Sequence, residues 1–157
     1  MSRSRGTPPI RYFEDFHPGQ QLECAERTVT REEILRFAEE FDPQPFHLDE
    51  EAARHSVFGG LVASGWHICG ILMRILVDSF MGQAASLASP GVDEIRWLKP
   101  VRPGDRLRLH VVVLEAIPSR SKPDRGILRF RCELFNQRNE LVTTVVSLAI
   151  MGRRSRT

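Results

Sequence analysis

Asp42 and His47 are the pair of side chains whose types and spacing best suit acid–base chemistry. They stand five residues apart in the segment DPQPFH. A positioned carboxylate and imidazole can take a proton from water and hand it on. Five residues is not a helical repeat, and a flat strand would put the two side chains on opposite faces. Only a bent segment can aim both into one site. Pro43 and Pro45 stiffen this one, because a proline disfavours the helical region for the residue before it. Asp42 and Gln44 are therefore expected to be extended, and residues 42–47 irregular. Spacing alone favours a plainer alternative, a helix-terminal acid followed by a packed loop histidine.

Other chemistries lack their residues. There is no G-x-x-x-x-G-K-[ST], no G-x-G-x-x-G after a strand and no H-E-x-x-H. His17, His47, His55, His67 and His110 are scattered without ligand spacing, and no metal site is expected. Cys24, Cys69 and Cys132 are odd in number, far apart and without a C-x-x-C, which argues against disulfides and for a reducing compartment. No apolar run follows the N-terminal arginines, so no secretory signal is expected and the setting reads as cytoplasmic. A net charge of +2 makes no case for nucleic acid. Ser56–Met73 carries no Asp, Glu, Lys or Arg over eighteen residues, the lower limit of a membrane span. Its four glycines, two serines and His67, with Arg74 and Asp78 following, make it a buried core helix instead.

The elements that must position Asp42 and His47 can be read on either side of them. Thr30 with Glu33 three residues on is a capping box, and Ile34, Phe37, Ala38 and Phe41 follow at helical spacing, so a helix is expected over residues 31–41. Residues 49–55 suit one or two helical turns. A long helix, apolar nearly all round, should begin after Ser64 as N-cap, take Gly65 as its first residue and run to about Phe80. Residues 22–29 have weak strand character. Beyond residue 92 the period drops to two: strands are expected over 93–98, 106–113, 128–134 and 141–150, with NQRNE as a turn before the last. Short links between strands imply antiparallel pairing. The class is α+β, one domain over residues 11–151, with basic, solvated tails at 1–10 and 152–157.

The segment also resembles the hydratase-2 motif of MaoC-like proteins. That motif places an aromatic residue before Asp-x-Asn-Pro-x-His, then an acid and a small residue, then Phe-Gly-x-x-[Ile/Val]-x-x-Gly. Phe41, Asp42, Gln44, Pro45, His47, Asp49, Ala52, Phe58, Gly59, Val62 and Gly65 match without a gap. Ile95–Val101 with Pro103-Gly104-Asp105 is similar to the family's strand and turn. The resemblance implies a hot-dog fold, an antiparallel sheet wrapped around a long central helix, dimerised so that the sheets join. It implies an acyl thioester on coenzyme A or acyl carrier protein as partner, with no cofactor beyond the coenzyme A of the substrate. The reaction implied is reversible hydration of a trans-2-enoyl thioester to a 3-hydroxyacyl thioester. Asp42 and His47 would be catalytic, the N–H of Gly65 would form the oxyanion hole, and glycine there would let the thioester approach closely. Phe58, Gln44 and Ser64 would contact substrate, though Ser64 more readily caps the helix and Phe58 equally packs the loop. Gln44 replaces the usual Asn, and Ser64 the usual His or Gln.

Bland roles are expected elsewhere. Trp66, His67 and Cys69 read as core. Asp49, Glu50 and Glu51 read as a solvated first turn. Arg96, Lys99 and Arg102 read as solvated positions rather than contacts to coenzyme A phosphates. The alternatives to a hydratase are a thioesterase on the same scaffold or a non-catalytic acyl-thioester-binding module.

Overall fold

Alternation of apolar and charged residues builds most of the protein. In β4 (Arg106–Pro118) Leu107, Leu109, Val111 and Val113 point inward; in β5 (Arg125–Phe135) Leu128, Phe130, Cys132 and Leu134 do. β6 (Leu141–Gly152) completes a continuous antiparallel ladder with them. The computed structural model describes residues 10–155, and in it β1 (Gln21–Thr28) pairs with β4. β3 (Val92–Trp97) and a short β2 (Ser86–Ala88) both pair with β6. The sheet therefore runs β1-β4-β5-β6-β2, with β3 beside β2 along β6. β2 was not expected: three exposed residues carry no period to read.

The inward face of this sheet packs on α4 (Gly65–Ser79) through Ile68, Ile71, Leu72, Ile75 and Leu76. This is the hot-dog arrangement. Each such side chain, once buried, contributes roughly 1.5–3 kcal/mol. The helix is not buried all round, however. Trp66 is 60% exposed, and Met73 and Val77 also face outward, because the sheet covers one side only. No helix among the described residues is long and apolar enough to cross a membrane.

α1 (Arg31–Phe41) has the expected bounds. The Thr30 hydroxyl accepts from the Glu33 N–H, but the Glu33 side chain turns to Arg27 at 3.3 Å instead of closing the box. Residues 42–47 are less irregular than expected. Gln44 is extended as predicted, and Pro45 then opens one helical turn, α2 (Pro45–Leu48), since its fixed φ suits a first helical position. Asp49 caps α3 (Glu50–Arg54) by accepting from the N–H groups of Glu51 and Ala52.

The expected C-terminal tail is corrected in part. β6 runs through Gly152, and Arg153 and Arg154 fold back to pair with Glu14 and Asp15 at 3.0 and 2.7 Å. Residues 156–157 and all but Ile10 of the N-terminal tail lie outside the described residues. Arg11 already belongs to the domain, exchanging backbone hydrogen bonds with Gln83 and Ala85.

Candidate active site

Three chain segments meet at Asp42 and His47. Asp42 ends α1, its N–H donating to the Ala38 carbonyl at 2.9 Å. His47 sits on the single turn of α2, and that turn is the bend which brings it back toward Asp42. The loop before α4 runs alongside: the Val62 N–H donates to the Phe46 carbonyl, and the Ala63 N–H to the Val101 carbonyl. Gly104, at φ 88°, makes the tight turn behind it, where Asp105 accepts from the Arg102 N–H. Arg102 in turn donates to the Phe58 carbonyl at 2.6 Å.

The side chains converge. His47 Nε2 lies 3.4 Å from Asp42 Oδ2. His47 is buried, and its Nδ1 lies 2.7 Å from the Val62 carbonyl oxygen. A carbonyl only accepts, so Nδ1 carries a hydrogen, and Nε2 is the ring nitrogen turned toward Asp42. Asp42 is held from two sides. The Ser64 hydroxyl donates to Oδ2 at 2.7 Å and the Gln44 amide to Oδ1 at 2.6 Å. Partial burial pushes the Asp42 carboxyl up, but these two hydrogen bonds and the neighbouring imidazole outweigh it, and the net shift is downward. A carboxylate held as the anion faces the imidazole Nε2.

Ser64 therefore does not cap α4. It occupies the N-cap position, yet its hydroxyl makes no capping hydrogen bond. Bonding a carboxylate is worth about 1.5–3 kcal/mol against about 1 for a neutral cap, so the rotamer that reaches Asp42 wins over one that would accept from the first helical N–H groups. Gln44 reaches Asp42 despite being one methylene longer than Asn.

His47, Phe58, Gly65 and Trp97 line one cleft of about 310 Å³ together with Phe46 and Ile68. Gly65 is the first residue of α4, so its N–H has no acceptor within the helix. Phe58 lines the cleft and packs on Phe46 with ring centroids 5.3 Å apart. The need for glycine at 65 has a different cause from the one expected. A side chain there would collide with the Trp97 indole, which already covers that face. Trp97 and Phe46 had no part in the sequence-based site. An indole at the end of β3 meets a helix start only through tertiary register, for which a single sequence holds no signal.

The remaining candidates lie apart from this cleft or at its rim. His67 is buried and stacks on Phe37 with centroids 5.0 Å apart, as a core residue. Burial pushes its pKa down, against an upward pull from Glu33. Cys69 is half-buried, and burial raises its thiol pKa. Trp66, expected in the core, is exposed and meets Trp97 edge-on at 5.3 Å. Arg96 and Lys99 pair with Glu94 and Glu140. Glu50 pairs with Arg31, and Glu51 with Arg54. No cluster among the described residues could hold a metal ion.

Comparison with known proteins identifies the family and the fold. The family model described as "MaoC like domain" matches residues 15–127. The uncharacterized protein YdeM of Bacillus subtilis is 33% identical over 126 residues, 80% of this chain and 88% of its own. The 3-hydroxybutyryl-CoA dehydratase of Methylorubrum extorquens is 31% identical over 114 residues, 72% of this chain and 70% of its own. The crystal structure of a MaoC-like dehydratase from Rhodospirillum rubrum superposes with a TM-score of 0.87 at 46% identity, covering 92% of this chain and 99% of that one.

Proposed function

This chain belongs to the MaoC-like domain family of hydratases and dehydratases, and from that premise we propose that it interconverts a trans-2-enoyl thioester and a 3-hydroxyacyl thioester. The observation that carries the reading is the 3.4 Å approach of His47 Nε2 to Asp42 Oδ2 beside the free N–H of Gly65. That separation exceeds a direct charge-assisted hydrogen bond, which is about 2.7–2.9 Å. In this reading the two groups share one water molecule.

In the hydration direction Asp42 accepts one hydrogen bond from the water, and His47 Nε2 takes the proton as the water oxygen attacks the β-carbon. The electron pair of the double bond moves through the α-carbon onto the thioester oxygen. The Gly65 N–H, at the positive end of the α4 dipole, receives that charge. Imidazolium then returns the proton to the α-carbon, and the adduct gains one water in total. Both transfers occur from one face, because one pair serves both.

The carrier is coenzyme A or acyl carrier protein, the compartment cytoplasmic, and the working unit a homodimer. Asp42→Asn removes the orienting charge and His47→Gln removes the base, each with a polar side chain of similar size. Each should lower the hydration rate of crotonyl-CoA by about 10²–10⁴ while circular dichroism stays unchanged. Undiminished turnover in either variant refutes the assignment. Thiol release without β-hydration by the unaltered protein would move it to the thioesterases.

A further inference from the structure

We infer that Trp97 is a positioning residue that holds the Gly65 amide in line with the Asp42–His47 pair. The inference rests on the hydratase reading for its kinetic consequence, but its structural content stands on separate observations. The indole lies over Gly65 so closely that any Cβ there would strike its Cε2 and Cδ2 atoms. Its Nε1–H donates to the Gly65 carbonyl oxygen at 3.0 Å. One side chain thus fixes Gly65 at two points, by van der Waals contact on Cα and by a hydrogen bond on the carbonyl.

Both points bear on the amide N–H. The first residue of a helix has fewer backbone restraints than the interior, since its N–H has no acceptor in the helix. Glycine adds the widest conformational freedom of any residue. The peptide that carries this amide is held within the helix by one hydrogen bond, from the Ile68 N–H to the Ser64 carbonyl at 3.1 Å. A donor that must wait at the place where charge develops acts only when it is already oriented. Trp97 adds a second restraint, on the other side of Gly65.

The indole is itself braced. Trp97 is paired with Thr143 in the β3–β6 ladder, and the next two N–H groups, of Leu98 and Lys99, both donate to the Val142 carbonyl. Trp66, adjacent to Gly65, packs edge-on against the indole from the helix side. The sheet, through Trp97, therefore sets where the helix presents its first amide. A tryptophan that remains 45% exposed yet commits its N–H and one face to a glycine is placed for that contact rather than for burial.

Three forms of the protein test this: wild type, Trp97→Phe, and the isosteric replacement of Trp97 by benzothienylalanine, which removes only the N–H and guards against misfolding of the first. Two readouts are needed. One is the infrared carbonyl stretch of bound [1-¹³C]butyryl-CoA, a saturated thioester with nothing to hydrate. The other is steady-state hydration of crotonyl-CoA. Wild type should lower the carbonyl frequency relative to free ligand, and both replacements should lessen that displacement. Because the donor is displaced rather than deleted, kcat should fall by about tenfold, less than the 10²–10³ of a lost donor, with KM within about twofold. An equal displacement in all three forms, or a loss confined to KM, overturns the inference. A displacement that both replacements weaken, in a protein that hydrates nothing, supports the inference and sinks the hydratase reading. An unshifted carbonyl in the wild type overturns both.

Discussion

Ser64 and Gln44 show how much of a carboxylate's behaviour is set by the groups that hydrogen-bond to it. Each donates one hydrogen bond to Asp42, and together with His47 they hold its pKa below the usual range despite partial burial. A carboxyl depressed in the folded state stabilises the fold above its unfolded pKa, near 3.9, and that contribution fades as pH falls through the lower folded value. Ser64→Ala removes one of the two donors and leaves a buried oxygen short of a partner. The expected cost is about 1.5–3 kcal/mol at pH 7, shrinking toward zero below the folded pKa. Urea unfolding at pH 7 and at pH 3 measures both. The acid limb of the hydration profile should move upward in the same variant, because the carboxylate now protonates more easily. A profile that stays in place would show that Ser64 serves packing alone.

Element boundaries were legible where a local signal closes them. Thr30 opens α1 and Pro43 forbids its continuation, so the helix spans the residues that spacing, cap and proline together predicted. Thr30→Ala should cost about 1 kcal/mol, seen as a lower urea midpoint with an unchanged slope. It should also lower turnover at temperatures near the midpoint, since the other end of α1 carries Asp42. A midpoint equal to wild type would mean that the contact of Glu33 with Arg27 anchors this end without the cap. Legibility fails where a partner is distant in sequence. Ser64 reads as a cap because capping is local, whereas its acceptor lies 22 residues away. The α2 turn was hidden for a similar reason: proline argues for extension of Gln44 and equally for helix after itself, and only the second half of that rule closes the Asp42–His47 gap. Alternation revealed β4, β5 and β6 but not the side of the sheet that α4 covers, so the outward face of that helix came unannounced.

That outward face gives the whole molecule its remaining feature. Trp66, Met73 and Val77 recur at seven and four residues along α4 and form one stripe, each exposed by more than a third. Met73 and Val77 share a groove with Leu87 of β2, and Trp66 touches Trp97 of β3, so helix and sheet edge make one apolar surface. Monomers seldom leave such a surface to water. β3 is paired only with β6 among the described residues, and an edge strand with free backbone groups is a template for another strand. A second copy related by a two-fold axis satisfies both, stripe against stripe and edge against edge, because a self-complementary patch closes at two. The protein should therefore run in light scattering at twice its 17.9 kDa chain mass at micromolar concentration. Val77→Asp places a charge within the stripe, far along α4 from Gly65, and should shift the mass toward a single chain. If the dimer also steadies Trp97, which lies on the same surface, hydration should fall with dissociation and recover as protein concentration rises. A wild-type protein that scatters as one chain across the whole range would leave the stripe without this partner, and Trp97 would then hold Gly65 unaided.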